Sequence, residues 1–355
     1  MLGTLPFPIT WSEYAWFNDL PTNTYFALWL RNPSQLQNQI ELPTGHDLYV
    51  VTFHYEHIDC EWLIDQASKI TQPIIVLSDG SGYDFPWPDH VHFYNYYSWH
   101  IHLDQIMSWF PHRQPRNLKY KVSAVCNRIT QSKLILTTAL LENLPPQELL
   151  IKLSTWLEEK NVHHRQPTGN AVLDQLSDIF FEKYYGQIIQ MDDFTDATHN
   201  FQRVNSDPWQ PMYLESALHF TNESYHYSYM NDKLGSYTRP GPLVSEKTFK
   251  CLLSGTPFIS VSQFDLYGQL SQLGLVFDYG SIDLTWDNDP GNLSRLEGIV
   301  NIIRGLADYT KEDIASMARD STDHNTEMIW SGEFQLRAHQ NNASVRDQIL
   351  KEYSR

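Results

Sequence analysis

A helix pattern runs directly into a strand pattern in Leu243-Val-Ser-Glu246-Lys247-Thr-Phe-Lys250-Cys-Leu-Leu-Ser-Gly255-Thr-Pro257-Phe-Ile-Ser-Val-Ser262. Gly255 and Pro257 end the predicted helix, and its first turns carry Glu246, Lys247 and Lys250. The start of a helix offers free backbone N–H groups and the positive end of the helix dipole, which favour an anion. Two ammonium groups suit phosphate oxygens, and a carboxylate suits ribose hydroxyls. The segment predicts a nucleoside diphosphate site, or else the solvated start of an ordinary helix.

Three other segments place polar residues beside short apolar strands or helices. One strand pattern ends on Asn127 and Arg128, and a second, around 217–221, comes shortly before Glu223. Further along the chain, Gly274 closes an amphipathic turn of helix, and the apolar run 275–277 after it is strand-like. Ligands of parallel α/β sheets bind outside the carboxyl ends of the strands. The polar residues at these ends are therefore candidate ligand contacts.

In this order the four segments resemble the nucleotide-sugar-binding half of a GT-B glycosyltransferase. The likeness is greatest to the family-10, α1,3-fucosyltransferase-like group and its soluble microbial and viral relatives, and it covers roughly residues 118–305. The resemblance implies an α/β protein with two Rossmann-like doubly wound domains facing a cleft. It also implies a nucleoside diphosphate sugar as donor substrate and no metal or other cofactor.

The resemblance assigns a set of donor-binding residues: Asn127, Arg128, Glu223, Glu246, Lys247 and Lys250. Arg128 lies between a predicted strand and a helix, where a guanidinium can hold a diphosphate and stabilise the departing nucleotide. The alternative is an interdomain salt bridge. Glu223 has a capping or turn role as its alternative. Of the two lysines, the family pattern favours Lys247, next to Glu246.

Transfer with inversion needs a group that takes the proton of the acceptor hydroxyl. In the family this base comes from the N-terminal domain. Asp79, after the most apolar predicted strand of that half, is our first candidate and Glu56 the second. The alternative for Asp79 is a turn aspartate that binds its own loop amides. The other eligible residues follow predicted strands too: His54, His57 and Asp84.

No metal-binding or hydrolase pattern competes with this interpretation. The spacing of 54–57 and of the pair 163–164 matches no standard zinc site. The acidic pairs in 287–289 and 192–193 lie in polar, loop-like stretches, and GT-B enzymes neutralise the leaving group with Arg, Lys and a helix dipole. The sequence also contains no Gly-x-Ser-x-Gly elbow and no phosphate-binding P-loop.

The charge balance bears on the acceptor. The 355-residue chain has 42 Asp and Glu against 25 Lys and Arg, a formal charge of −17. Residues 1–117 hold 12 acidic and 4 basic residues, with eight of the 15 His and seven of the 11 Trp. Such a surface repels nucleic acid, and its aromatic rings suit sugar faces. We therefore expect a carbohydrate or other hydroxyl acceptor and disfavour DNA.

Cysteine use and hydropathy suggest the compartment. The three cysteines, at 60, 126 and 251, are far apart, so a disulfide framework is not expected. No apolar run reaches the length of a membrane span, and the first residues lack a signal-peptide pattern. We expect no membrane insertion and a location in the bacterial cytoplasm, or in the host cytoplasm for a viral protein.

Short apolar strands alternate with helix patterns along most of the chain, which predicts parallel sheets. We expect an acceptor-side domain over 1–117, a nucleotide-sugar-binding domain over 118–310, and helices over 311–355 that pack back toward the first domain. The polar, proline-containing segment 111–118 is the predicted linker. Within the second domain the pattern predicts an amphipathic helix over 148–157.

The expected function is transfer of a sugar from a nucleoside diphosphate sugar to a hydroxyl acceptor. Two alternatives stay open. One is the same chemistry on hydroxymethylated bases of phage DNA, and the other is a non-catalytic protein that binds nucleotide sugars or glycans.

Overall fold

The computed structural model describes residues 16, 19–29, 41–53, 60–78, 87–97, 99–126, 131–153, 167–185, 189–190, 207–222, 244, 246–262, 264–289 and 291–354. These residues divide into two units. Unit 1 comprises the described residues of 1–100 and 335–354, and unit 2 those of 101–222 and 244–334. Each unit contains one sheet of mainly parallel strands with helices packed on it. The predicted α/β class with parallel sheets is therefore confirmed.

Unit 1 contains a four-stranded parallel sheet whose strands follow one another in chain order. Its elements are β1 (Thr24–Trp29), β2 (Leu48–Phe53), α1 (Cys60–Lys69), β3 (Ile74–Ser78) and β4 (Val91–Asn95). Two helices cross the division between the units, α2 (Trp99–Trp109) and the later α11 (Glu333–Tyr353). When parallel strands succeed each other in one direction, right-handed connections all lie on the same face of the sheet. The other face then needs a cover from elsewhere in the chain.

The alternating residues of β2 and β3 fill two separate cores, one on each face. Tyr49 and Val51 pack with Leu63 of α1 on the first face. Leu48 and Val50 pack on the second face with Ile349, a fully buried residue of α11. Successive side chains of a strand point to opposite faces, so the near-continuous apolar runs of β2 and β3 serve both cores. The C-terminal helix thus completes the helix–sheet–helix layering of unit 1.

Hydrogen bonds to the end of β4 fix the position of α11. The side chain of Asn342 accepts from the amide of Tyr97 and donates to its carbonyl, each at 2.8 Å. The side chain of Asn341 donates to the carbonyl of Asn95 at 3.1 Å. Paired backbone groups are essential in a buried position, because an unmade hydrogen bond there costs the desolvation of both groups. Asn341 and Asn342 therefore fix α11 against the backbone at the end of β4, where the strand pairing has ended.

The sheet of unit 2 has five strands in the order β7-β6-β5-β8-β9. All neighbours are parallel except the edge pair of β6 and β7. The strands are β5 (Tyr120–Cys126), β6 (Leu149–Leu153), β7 (Ile189–Gln190), β8 (Ser216–Asn222) and β9 (Phe258–Val261). The chain therefore moves from β5 to β6 on one side, and then returns to continue on the other side with β8 and β9.

Helices cover both faces of this sheet. They are α3 (Gln131–Asn143), α4 (Ala171–Ile179), the short α5 (Pro211–Leu214), α6 (Glu246–Ser254), α7 (Leu266–Gln272), α8 (Asn292–Gly305), α9 (Lys311–Met317) and α10 (Arg319–Trp330). α3 packs against α4 and α8, whereas α6 packs against α10. Right-handed connections in opposite directions from β5 place α3 and α6 on opposite faces. α3 contacts β6, and α6 contacts β8 and β9.

Two predicted elements of unit 2 are wrong. The helix expected over 148–157 is a strand in its described part, since Leu149–Leu153 pairs with β5 as β6. Leu149, Leu150 and Ile151 are all buried, and a short apolar run of this kind fits a buried strand as well as a helix. The strand-like run 275–277 forms no strand, and Asn325 of α10 instead hydrogen-bonds both backbone groups of Val276.

Candidate functional site

The strand order of unit 2 reverses between β5 and β8, which are neighbours in the sheet. β5 ends at Cys126 and β8 at Asn222. In open α/β sheets, ligands bind in the crevice outside the carboxyl ends of the strands at such a reversal, because the two flanking connections leave toward opposite faces there. The topology therefore marks the carboxyl edge of β5 and β8 as the candidate site.

Two helices of unit 2 begin at this carboxyl edge. α3 connects β5 to the parallel β6, and α6 precedes β9, which is parallel to β8. A helix that joins two parallel strands runs back against them, so it starts at their carboxyl ends. The N–H groups of the first turns and the positive dipole ends of both helices thus face the edge where the strand order reverses.

Glu246 and Lys247 form the first turn of α6. Their side chains are 30% and 22% exposed, and the Lys247 Nζ lies 3.6 Å from the Glu246 Oε1. An acidic residue is favourable at this end of a helix, whereas a cation is not. The last turn of α6, where a cation would be favoured, contains no basic residue. The helix dipole therefore does not explain the position of Lys247, whose ammonium group lies beside the Glu246 carboxylate.

Polar side chains are buried at the start of α3. Gln131, Ser132 and Lys133 are all 5% exposed or less. Burial of a lysine and two further polar groups costs free energy unless each has a hydrogen-bond or charge partner. Polar side chains are therefore usually buried only where the fold requires them. Our sequence interpretation gave none of the three a role, although they directly follow the segment that contains Asn127 and Arg128.

Most of the sequence-predicted site residues lie outside the described residues. These are Asn127, Arg128, Glu223, Asp79 and Glu56, and the further base candidates His54, His57 and Asp84. The structure describes Glu246, Lys247 and Lys250, and it brings the first two together at the start of α6.

Lys250 is placed differently from Lys247. It is 6% exposed, and its ammonium group lies 5.4 Å from the centre of the Tyr213 ring. A cation over an aromatic face is stabilised by the ring quadrupole, more so when it is withdrawn from water. Lys250 follows Lys247 by three residues, which is nearly one full helical turn. The two side chains nevertheless differ in exposure, since Lys250 is buried and Lys247 is partly exposed. Lys250 therefore adds positive charge from inside the protein, beneath the surface to which Lys247 is exposed.

A buried histidine lies beside this lysine. The His219 ring is 4.8 Å from that of Tyr213, and its Nδ1 is 2.8 Å from the hydroxyl of Ser123. Ser123 donates its own proton to the carbonyl of Met212 at 2.6 Å, so His219 is assigned as the donor to Ser123. Burial, with a smaller effect of the Lys250 charge, lowers the pKa of His219 to about 3. His219 is therefore neutral at physiological pH and cannot pair with an anion.

The acidic stretch 287–289 contains a buried carboxyl group. Asp287 is 1% exposed, and its Oδ2 accepts from the amide of Tyr267 at 2.8 Å, at the start of α7. Its Oδ1 has no hydrogen-bond partner among the described residues. Burial raises the pKa of Asp287 to about 7, although the amides of Tyr267 and Leu266 act to lower it. Asp287 thus caps α7 from a distant part of the chain.

The loop that begins α7 is strained at Asp265. Its φ is 64°, in the left-handed region, and its amide donates to the carbonyl of Asp287 at 2.8 Å. A non-glycine residue in this region costs free energy unless its surroundings hold it there. No spacing in the sequence signals this arrangement, because Asp265 and Asp287 come from separate loops.

Comparison with known proteins gives no relative: no family model matches the chain, and neither a curated protein nor a solved structure matches it. Among the described residues, no three His, Cys, Asp or Glu side chains are grouped to hold a metal ion. None of the helices in the described part of the chain has the length and apolar character needed to cross a membrane.

Proposed function

We propose that this protein is a glycosyltransferase of the GT-B type, which transfers a sugar from a nucleoside diphosphate sugar to a hydroxyl acceptor. The observation that carries the proposal is Lys247 at the start of α6, beside Glu246, at the sheet edge where the strand order reverses. Phosphate oxygens accept hydrogen bonds from the N–H groups at a helix start and from an ammonium group, and a reversal in a parallel sheet is where nucleotides bind.

In the proposed site the diphosphate of the donor binds at the start of α6. Lys247 contributes a charge-assisted hydrogen bond, and the buried charge of Lys250 strengthens the positive potential. Glu246, which is partly exposed, accepts hydrogen bonds from ribose hydroxyls. Arg128, with Asn127 and Glu223 as further contacts, acts on the departing diphosphate. Negative charge grows on this group as the glycosidic bond breaks, so fixed positive charges lower the barrier.

The acceptor hydroxyl must lose a proton as it attacks the sugar. We assign this step to a carboxylate from the N-terminal half, with Asp79 first and Glu56 second. A base in this role needs to lie within hydrogen-bond reach of the hydroxyl and to be ionised at the working pH. The proposal includes no metal, since Arg, Lys and the helix dipole carry the leaving-group charge.

The first experiment is a thermal-shift screen of the full chain against GDP, UDP, ADP and their sugars. A ligand at 100 times its dissociation constant adds about 2.7 kcal/mol of stability, which is readily detected. The matched variants are Lys247→Gln and Lys183→Gln, because Lys183 is a surface lysine of the same unit paired with Glu142 at 2.8 Å. The proposal requires a nucleotide whose stabilisation is reduced in the first variant and kept in the second.

Transfer is then measured with the nucleotide sugar that binds. Release of nucleoside diphosphate in the presence of a mixture of hydroxyl acceptors supports a transferase, and glycan and hydroxymethylated-DNA acceptors are tested separately. Saturable binding without hydrolysis or transfer indicates the alternative, a protein that binds nucleotide sugars. If no nucleoside diphosphate or its sugar stabilises the protein, the proposal is rejected.

A further inference from the structure

A second concave site lies in unit 2, at the other end of the sheet from the proposed donor site. It is a cavity of about 540 Å³, lined in part by Arg113, Arg116 and Arg319. Protein binding sites for small molecules are commonly clefts of roughly 300–1,000 Å³. The size therefore suits a small molecule, and the lining includes more positive than negative side chains.

The backbone around the cavity belongs to the amino ends of the strands. Arg116 precedes β5, Ser216 is the first residue of β8, and Gly255 lies between α6 and β9. Arg116 joins these three segments, since its guanidinium donates to the carbonyl of Gly255 at 2.8 Å and to the carbonyl of Ser216. Because the strands are parallel, their amino ends form the edge opposite to the one with Glu246 and Lys247. A ligand here would not occupy the donor site.

Arg116 carries a positive charge whose hydrogen-bond partners are neutral. Its two described partners are backbone carbonyls, and its Nε is buried without a hydrogen-bond partner among the described residues. Burial lowers the pKa of Arg116 to about 10, which leaves the guanidinium charged at physiological pH. Burial of a guanidinium charge is costly, and an anion in the cavity would supply a counter-charge, although the Nε atom itself is not exposed to the cavity.

The two other arginines are exposed and stand at the rim. The Arg113 guanidinium lies 3.9 Å from the Asp323 carboxylate, a distance too long for a hydrogen bond. Arg319 has no ion pair within the part of the chain that the structure describes. Three arginines against one aspartate give the lining a formal charge of +2, whereas the whole chain has −17. A local positive field of this kind in an acidic protein attracts small anions selectively to one place.

We propose that this cavity is a separate binding site for a small phosphate-bearing anion. Guanidinium groups match phosphate oxygens because their N–H donors lie in a planar fork, and arginine stays charged when partly buried. Arg113 and Arg319 contact the anion from the rim, and Arg116 attracts it from the floor. Asp323 opposes binding, since its carboxylate competes for Arg113.

Isothermal titration of the full chain with pyrophosphate tests the site, with ionic strength held constant. Arg319→Gln and Arg113→Gln should each weaken binding by about 10-fold or more, because each removes a charge-assisted contact. Asp323→Asn should tighten binding. Arg304→Gln is the matched control, because Arg304 is an exposed arginine on α8 that is not among the lining residues.

Lys247→Gln distinguishes this site from the proposed donor site. Pyrophosphate binding that Arg319→Gln weakens and Lys247→Gln leaves unchanged supports the cavity, even if no nucleotide binds elsewhere. The proposal is overturned if pyrophosphate does not bind saturably, or if the Arg113 and Arg319 variants bind it as the parent and Arg304→Gln do. It is overturned as well if Asp323→Asn binds no more tightly than the parent.

Discussion

The side-chain amide of Asn342 hydrogen-bonds both backbone groups of Tyr97, with two contacts of 2.8 Å across 245 residues of sequence. This amide makes the two backbone hydrogen bonds that a further strand would make just after β4. It also ties the C-terminal helix to a sheet formed almost entirely by the first hundred residues.

Asn342→Ala should lower the free energy of unfolding by about 2–4 kcal/mol, because two buried backbone groups lose their partners. Urea unfolding followed by circular dichroism measures the change. Gln348→Ala on the same helix is the control, since Gln348 is exposed and its side chain donates to the exposed Glu352, at 3.2 Å. If the two substitutions lowered the free energy of unfolding equally, the hydrogen bonds to Tyr97 would contribute no stability.

His219 should make the protein less stable as the pH falls. Its pKa is about 3 in the folded protein, below the ordinary value of 6.5. Between these two pH values the imidazole is therefore protonated in the unfolded chain and neutral in the folded protein. The contribution to stability is full above pH 6.5 and is lost as the pH falls toward 3, by about 1.4 kcal/mol per pH unit at most.

The variant His219→Asn keeps a donor for Ser123 and cannot be protonated in this range. Urea unfolding of both proteins at pH 7.5, 6.0 and 5.0 gives the difference in free energy. We expect the difference to shift in favour of the variant as the pH falls. Parallel pH profiles would contradict the buried neutral state of His219.

Asp287 should have the opposite pH dependence. Its pKa is raised from 3.8 to about 7 on folding, so the carboxyl group favours the folded state below pH 3.8 and this contribution is lost as the pH rises toward 7. Asp287→Asn retains an oxygen for the Tyr267 amide and carries no charge. Relative to the parent, this variant should gain stability between pH 4 and pH 7, as measured by urea unfolding. A difference that does not change with pH would argue against a buried carboxyl group.

Lys247→Gln should weaken binding of the donor nucleotide by roughly 10–150-fold, the loss expected for one charge-assisted hydrogen bond. Glu246→Gln should weaken it less, because an amide oxygen still accepts from a ribose hydroxyl. Titration calorimetry with the nucleoside diphosphate chosen by the screen measures both. Binding by Lys247→Gln that equals the parent would move the donor site elsewhere.

Asp79→Asn should reduce transfer by about 100- to 10,000-fold and leave nucleotide affinity intact, because a base acts on the acceptor and not on the donor. Single-turnover transfer and nucleotide titration on the same preparation separate the two effects. Glu56→Gln is assayed in parallel as the second candidate. Near-parental turnover of the Asp79 variant with intact binding would reject the first assignment.

The class of fold could be predicted because most of its strands are short apolar runs between helix patterns. One example is the strand pattern predicted to end at Asn127 and Arg128, which is β5 and ends at Cys126. The prediction failed at Leu149–Leu153, where five residues are too few to show a period. It failed again near Val276, where side chains of a distant helix take the hydrogen bonds that a strand would have made.

The candidate site was less predictable than the fold. The start of α6 could be recognised because adjacent residues, Glu246 and Lys247, carry the signal. The burial of Lys250 could not, because it depends on Tyr213, which lies 37 positions earlier and contacts it only in the folded chain. Arg113, Arg116 and Arg319 likewise meet around one cavity although no local pattern links them.

The dependence of the first sheet on α11 affects how the protein can be made. Ribosomes add about 5–20 residues per second, so the 245 residues between Tyr97 and Asn342 need roughly 12–50 s to follow. During that time the face formed by Leu48, Val50, Ile75 and Leu77 lacks the contacts that Ile349 of α11 makes with it. Unit 2, whose residues end before α11 is complete, can close its core sooner. We therefore expect the sheet that is translated first to complete its second core last.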